Sequence, residues 1–217
     1  MAVATFAGIK TAVADWLERT DLTTAIGADF FPLMQSKMYY GHGTDIKPLR
    51  IRGMVDSATL TPDSGGTITI TSACGAGWLE FIEMTPTSEG APSLNYIEPW
   101  AFRKETDMLT GTTGPQNVYT IEGGLVYLAP AAVTTIAAKW YEKFTALSAD
   151  SDVDWIVTNA PQVYMDGCLM EACAYLSDAR EAQFRAKFAA GILALNLNDR
   201  RQRSAGATPV ARPRSYA

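Results

Sequence analysis

The chemistry open to this 217-residue chain rests on one histidine, three cysteines and scattered carboxylates. His42 stands in Gly41-His42-Gly43. A single histidine cannot supply a multi-histidine metal centre, and no Ser-His-Asp or Cys-His signature surrounds it. It reads as a loop residue following a helix. Cys74, Cys168 and Cys173 are odd in number and show no CxxC spacing. Cys168 and Cys173, five apart on an expected helix, do not share a face. All three read as small apolar side chains in a reducing compartment. Gly75-Ala76-Gly77 lacks the third glycine and the Lys-Ser or Lys-Thr of a phosphate loop, so it reads as a turn before Trp78. Asp150, Asp152 and Asp154 alternate as calcium ligands do, but no glycine follows at the required place; acids at a helix start fit better. Nothing distinguishes Glu80, Glu83 or Glu89 as an acid/base pair. No catalytic residue, metal site or cofactor is expected.

The aromatic residues and the C-terminal end are the other candidates. Trp16, Trp78, Trp100, Trp140 and Trp155 fall mostly on apolar faces, which favours core packing and leaves some as contact anchors. Five of the 18 basic residues, Arg200, Arg201, Arg203, Arg212 and Arg214, lie beyond residue 198, where Asp199 is the only one of 23 acids. An acidic body therefore carries a basic end. That end has three readings: a solvated terminus, nonspecific contact with DNA phosphates, or a segment that orders on an acidic protein groove. Little aromatic interleaving and an acidic body weaken the DNA reading. Nineteen residues extend roughly 60 Å at about 3.3 Å each, enough to cross a neighbouring subunit.

The elements that must position these residues fall into three parts. Phe6, Ile9, Val13, Trp16 and Leu17 recur at helical spacing and predict a helix over 3–19. A second runs from Asp29, its expected cap, to Tyr40, with Pro32 in the first turn and Gly41 as its stop. Between 48 and 142 the period becomes two. Strands are expected near 49–52, 67–70, 78–84, 94–97, 118–121, 125–128 and 136–141, with a tight hairpin at Glu122-Gly123-Gly124 and a short helix over 98–109. Helices return after Asp154, with Pro161 opening one to Leu176 and another ending near Leu197 on Phe184, Phe188, Ile192 and Leu195. Residues 199–217 lose periodicity, and their Pro, Gly, Ala and Arg cannot build a core. The fold class is α+β: N- and C-terminal helices (1–45 and 150–198) packed as a bundle, an inserted antiparallel β module (46–149), and an extended flexible basic tail (199–217). Each helical part has one apolar face needing a partner.

Composition agrees with a subunit that hides surface against neighbours: 47% of residues are hydrophobic and 19% charged. Met1-Ala2-Val3-Ala4-Thr5 does not read as a secretory leader, and no apolar run is long enough to span a membrane. Synthesis and folding in the cytoplasm are expected.

These residues together resemble a family. The run Ile9-Lys10-Thr11-Ala12-Val13-Ala14-Asp15-Trp16-Leu17-Glu18-Arg19-Thr20-Asp21-Leu22 is similar to the opening helix of the head-to-tail adaptor (connector) proteins of tailed bacteriophages, of the short-tailed phage and gene-transfer-agent type. The segment from Tyr119 through Glu122-Gly123-Gly124 to Pro130 resembles their central hairpin. Trp140-Tyr141-Glu142-Lys143 with Ala146-Leu147-Ser148 resembles the last strand, and Trp155, Ala160-Pro161, Tyr164, Leu169, Glu171-Ala172 and Tyr175-Leu176 the C-terminal helix pair. The resemblance covers about residues 5–200. It implies a structural, non-enzymatic protein of the virion neck without a cofactor. Copies form a ring, usually of twelve, beneath the portal protein. The ring extends the DNA channel toward the next tail or nozzle protein, and DNA passes its lumen without specific binding. By the same resemblance the C-terminal end grips the portal, which selects Arg200, Arg201, Arg203, Arg212, Arg214 and Tyr216. A DNA-binding module acting through the arginine-rich end, or another neck or tail-tube component, remain the alternatives.

Overall fold

The computed structural model describes residues 3–109, 116–131 and 134–204, with backbone alone for 105–109 and 204. The chain divides into two compact units. Unit 1 joins Met1–Arg52 to Leu147–Ala217, and unit 2 is Gly53–Ala146. The class is α+β, with helices gathered from the two ends of the chain and strands in between.

In unit 1, α1 (Phe6–Leu17) starts where the Thr5 hydroxyl accepts from Gly8 N and ends at Glu18 in a left-handed conformation. Then α2 (Thr23–Ala25) passes through a π-turn at Ile26–Phe30 into α3 (Phe31–Tyr40). Asp29 lies inside this continuous helical path and does not cap α3, as the sequence had led one to expect. Ile26 and Phe30 are both buried, and the extra residue per turn turns both toward the core. Gly41, at φ 78°, terminates α3.

The C-terminal half of unit 1 holds α6 (Trp155–Asn159), α7 (Pro161–Tyr175) and α8 (Glu181–Ser204). Every residue of α7 from Val163 to Cys173 is buried, so the one-sided apolar stripe legible in the sequence underestimates it. Its two acids survive burial because each has a partner. Gln162 Nε2 donates to Asp166 Oδ1 at 2.9 Å, and Lys37 Nζ pairs with Glu171 Oε1 at 2.6 Å. Gly167 gives α7 its close approach to its neighbours: a Cβ there would stand 2.2 Å from Met34 Cγ and 2.8 Å from Phe188 Cε2.

Unit 2 contains two sheets. One has the order β1-β7-β3, from β1 (Val55–Leu60), β3 (Trp78–Pro86) and β7 (Ile136–Glu142). The other has the order β2-β6-β5-β4, from β2 (Thr67–Thr69), β4 (Asn95–Tyr96), β5 (Val118–Glu122) and β6 (Leu125–Ala129). Pairing is antiparallel except that β4 meets β5 in parallel over two residues. Short α4 (Ile70–Cys74) and α5 (Pro99–Leu109) interrupt the strands. Ile68, Met84, Val126, Leu128, Ile136 and Trp140 form the shared core. The β5–β6 hairpin turns on Gly123 and Gly124 at φ 61° and 80°, the geometry of a tight two-residue turn.

Candidate functional site

The C-terminal arginines are built into the fold further than the sequence shows. α8 continues through Arg200, Arg201 and Arg203 to Ser204, past the point where apolar periodicity fades. Arg and Gln are strong helix formers, and cations suit a helix C-terminus. Side chains facing the stretch Pro48–Arg52 hold this end in place. Asn196 accepts from Arg50 N at 2.8 Å and donates to Pro48 O at 3.0 Å. Asp199 Oδ1 accepts from Arg52 N and Arg52 Nε, each at 3.0 Å, and Asp199 Oδ2 accepts from Arg203 Nε at 2.7 Å. Arg52 Nη2 donates to Gln202 Oε1 at 2.6 Å. The 49–52 alternation is therefore not a strand. Leu49 N donates to Met38 O at 2.8 Å, Arg50 N and Arg52 N bond to α8 side chains instead of to a neighbouring strand, and Arg52 opens a 3-10 turn over Arg52–Met54.

Asp199 is buried, and burial alone would push its carboxyl up. The Arg52 amide, the Arg52 guanidinium and Arg203 outweigh that and hold it below the usual carboxylate range. Among the six residues selected for partner contact, Arg203 is thus engaged with Asp199, while Arg200 and Arg201 are exposed on the last turns of α8. Arg212, Arg214 and Tyr216 lie outside the described residues.

The other candidates disperse. His42 is exposed in a turn whose backbone bonds reciprocally with Ile46. The three aspartates face separate partners: Asp150 pairs with Lys10 at 2.5 Å, Asp152 Oδ2 accepts from the amides of Ser148 and Ala149 at 2.7 Å each, and Asp154 caps α6 through Val157 N at 2.8 Å. Tyr164 also donates to Asp154 Oδ2. Glu83 pairs with Lys139 at 3.1 Å. Of the tryptophans only Trp140 belongs to the fully buried core; Trp16 and Trp100 are 54% and 74% exposed. The sequence favours core packing for most of the five and leaves some as contact anchors. Trp16 and Trp100 stand where contact anchors would.

One constellation is absent from the sequence reading. Register sets Asp56 opposite Trp140, so Asp56 and Glu142 are diagonal neighbours on one face of the β1–β7 pair. Both line a groove of about 550 Å³ with Gly77, Lys143 and Thr145. Glu142 lies so close to the Gly75-Ala76-Gly77 turn that a Cβ at Gly77 would meet its Oε1 at 2.8 Å. Burial first, and Asp56 second, raise the Glu142 carboxyl above its ordinary value. The adjacent Cys74 thiol is pushed up to about 11 by burial and then by these carboxylates, which keeps it protonated and unreactive at neutral pH. Eighty-odd residues separate the two acids in sequence, so only register could have joined them. The pair can hold a proton, but among the described residues no group of three or more metal-ligating side chains is set to bind an ion.

What the geometry presents is a helical unit with a pinned, basic helix end, and a β unit bearing a carboxylate-lined groove, with aromatic rings exposed on each. This is the build of a protein that works through contact surfaces. The family model described as the SU10 adaptor protein matches residues 4–213, helices and strands alike. The chain belongs to that family: it is a structural adaptor protein of a bacteriophage and a component of the virion. No curated protein matches it. No helix among the described residues is long and apolar enough to cross a membrane.

Proposed function

We propose that copies of this chain form the ring that joins capsid to tail, docked beneath the portal and extending its DNA channel toward the next tail or nozzle protein. Twelve copies make the ring. It assembles in the host cytoplasm and works without catalysis. Contact with the portal is made by the basic C-terminal end, Arg200, Arg201, Arg203, Arg212, Arg214 and Tyr216. The observation that carries this reading is the adaptor-family match across residues 4–213, which includes the arginine-bearing end of α8. A chain of net charge −5 repels the phosphates of passing DNA, which keeps the duplex mobile in the lumen.

The test is removal of residues 205–217, which leaves the Asp199 contacts in place. The truncated chain should melt like the full chain and fail to bind purified portal rings. Undiminished portal binding would refute the role of Arg212, Arg214 and Tyr216. Retention of the full chain on duplex DNA at low salt, lost with the arginines, would favour the DNA-binding reading instead.

A further inference from the structure

Unit 1 carries two exposed surfaces of complementary chemistry. The first is the outward side of α8. At about 100° per residue, Asn196 and Asp199 share a side with the buried Phe188 and Ile192, facing the fold. Leu193 and Leu197, 50% and 43% exposed, gather on the opposite side with the exposed Arg200 and Arg201. The four-then-three spacing of 193, 197 and 200 is that of a seam that receives another helix. Ala186 and Ala190, also exposed, extend the seam with side chains small enough for close approach. The second surface is the end of α1. Asp15 and Glu18, both exposed, flank Trp16. The Trp16 ring is pre-oriented by an edge contact with Phe184 at 6.2 Å and by Lys187 at 6.0 Å.

We propose that the outward side of α8 in one copy, at Leu193, Leu197, Arg200 and Arg201, docks on the Asp15-Trp16-Glu18 end of α1 in a second copy. The inference rests on the ring reading and supplies its interface. Two different surfaces meet, so the contact is head-to-tail, the kind that closes into a ring when the rotation between copies allows. The leucines cover the indole, and the two guanidiniums meet two carboxylates, which fixes register. Leucines at the centre of the seam have no use on a phosphate backbone, which favours protein over DNA. Arg200 and Arg201 thereby serve the neighbouring copy and Arg203 stays with Asp199, so the portal contact proposed above narrows to Arg212, Arg214 and Tyr216.

Mass photometry of the full chain across a concentration series tests this. Leu197→Asp, the double variant Arg200→Glu/Arg201→Glu and the double variant Asp15→Lys/Glu18→Lys should each keep a cooperative melt and the helical circular dichroism of wild type, since all alter exposed side chains. Each should raise the concentration for half-assembly about tenfold or more. An equimolar mixture of the two double variants should recover assembly, because alternating copies pair a reversed surface with a reversed surface and an intact one with an intact one. Wild-type assembly that all three variants leave unchanged, or a mixture that stays apart, overturns the inference and spares the ring. A wild-type chain that is monomeric at every concentration overturns both.

Discussion

Replacing Gly167 with alanine should destabilise unit 1, although alanine is the better helix former. In an unconstrained helix the change gains about 1 kcal/mol. Here the new methyl group would sit 2.2 Å from Met34 Cγ and 2.8 Å and 3.0 Å from two carbons of the Phe188 ring. Met34 and Phe188 are both 0% exposed, so neither has solvent to retreat into. Overpacking of this kind costs about 1–3 kcal/mol and at times more. With a contact this short the upper end applies, and a net loss of about 2 kcal/mol remains after the propensity gain. For a chain of this size that lowers the melting temperature by about 4–8 °C. Gly191 is the internal control. A Cβ there meets only Val163, at 3.1 Å, so Gly191→Ala should lie within about 1 kcal/mol of wild type. Paired urea titrations followed by helical circular dichroism read both variants. A Gly167→Ala chain at least as stable as wild type would show that the α3–α7–α8 contact yields easily, and the reasoning would fail.

Asp199→Asn should cost about 1.5–3 kcal/mol by weakening the bonds to Arg52 and Arg203, visible as a lower urea midpoint at neutral pH. The folded Asp199 carboxyl lies below its unfolded value near 3.8, so its contribution is full above that pH and fades as pH falls through the folded value; the variant should show less acid destabilisation there, measured by melts between pH 5 and 2. Glu142 shifts the other way. Its folded carboxyl lies above the unfolded 4.5, so unit 2 should lose stability as pH rises from that value through the folded one, and Glu142→Gln should flatten this dependence and be no less stable at pH 7. Gly124→Val places a β-branched residue at φ 80° and should cost about 1–3 kcal/mol, with the loss confined to amide exchange in unit 2.

Local rules carried most of the architecture. Helical spacing located α1, α7 and α8 because each buries side chains at fixed intervals, and Gly123-Gly124 announced its hairpin because little else tolerates two positive φ angles in succession. What stayed hidden was long-range. β1 was missed because its first five residues are exposed and carry no alternation of burial. The segment 49–52 alternates like a strand yet bonds to Asn196 and Asp199, a pairing no local pattern encodes. α7 looked amphipathic because Asp166 and Glu171 are polar, and only their partners Gln162 and Lys37 explain their burial. At the candidate surfaces, the residue types at 200, 201 and 203 were legible. Their rigid presentation on a helix was not, since it depends on Arg52.

The bonds from Pro48–Arg52 to α8 also set an order of events during synthesis. Arg52 and Asp199 are 147 positions apart, and all of unit 2 is encoded between them. At about 5–20 residues per second, the ribosome has time to complete and fold the strands well before the last helix emerges. The opening helices must wait through that interval without their partners α7 and α8, with Ile9, Val13, Met34 and Met38 uncovered. A polypeptide that ends before α8 lacks Phe184, Phe188 and Ile192 of the core that these side chains complete. The closing contact therefore separates chains that reach Asp199 from those that stop short of it.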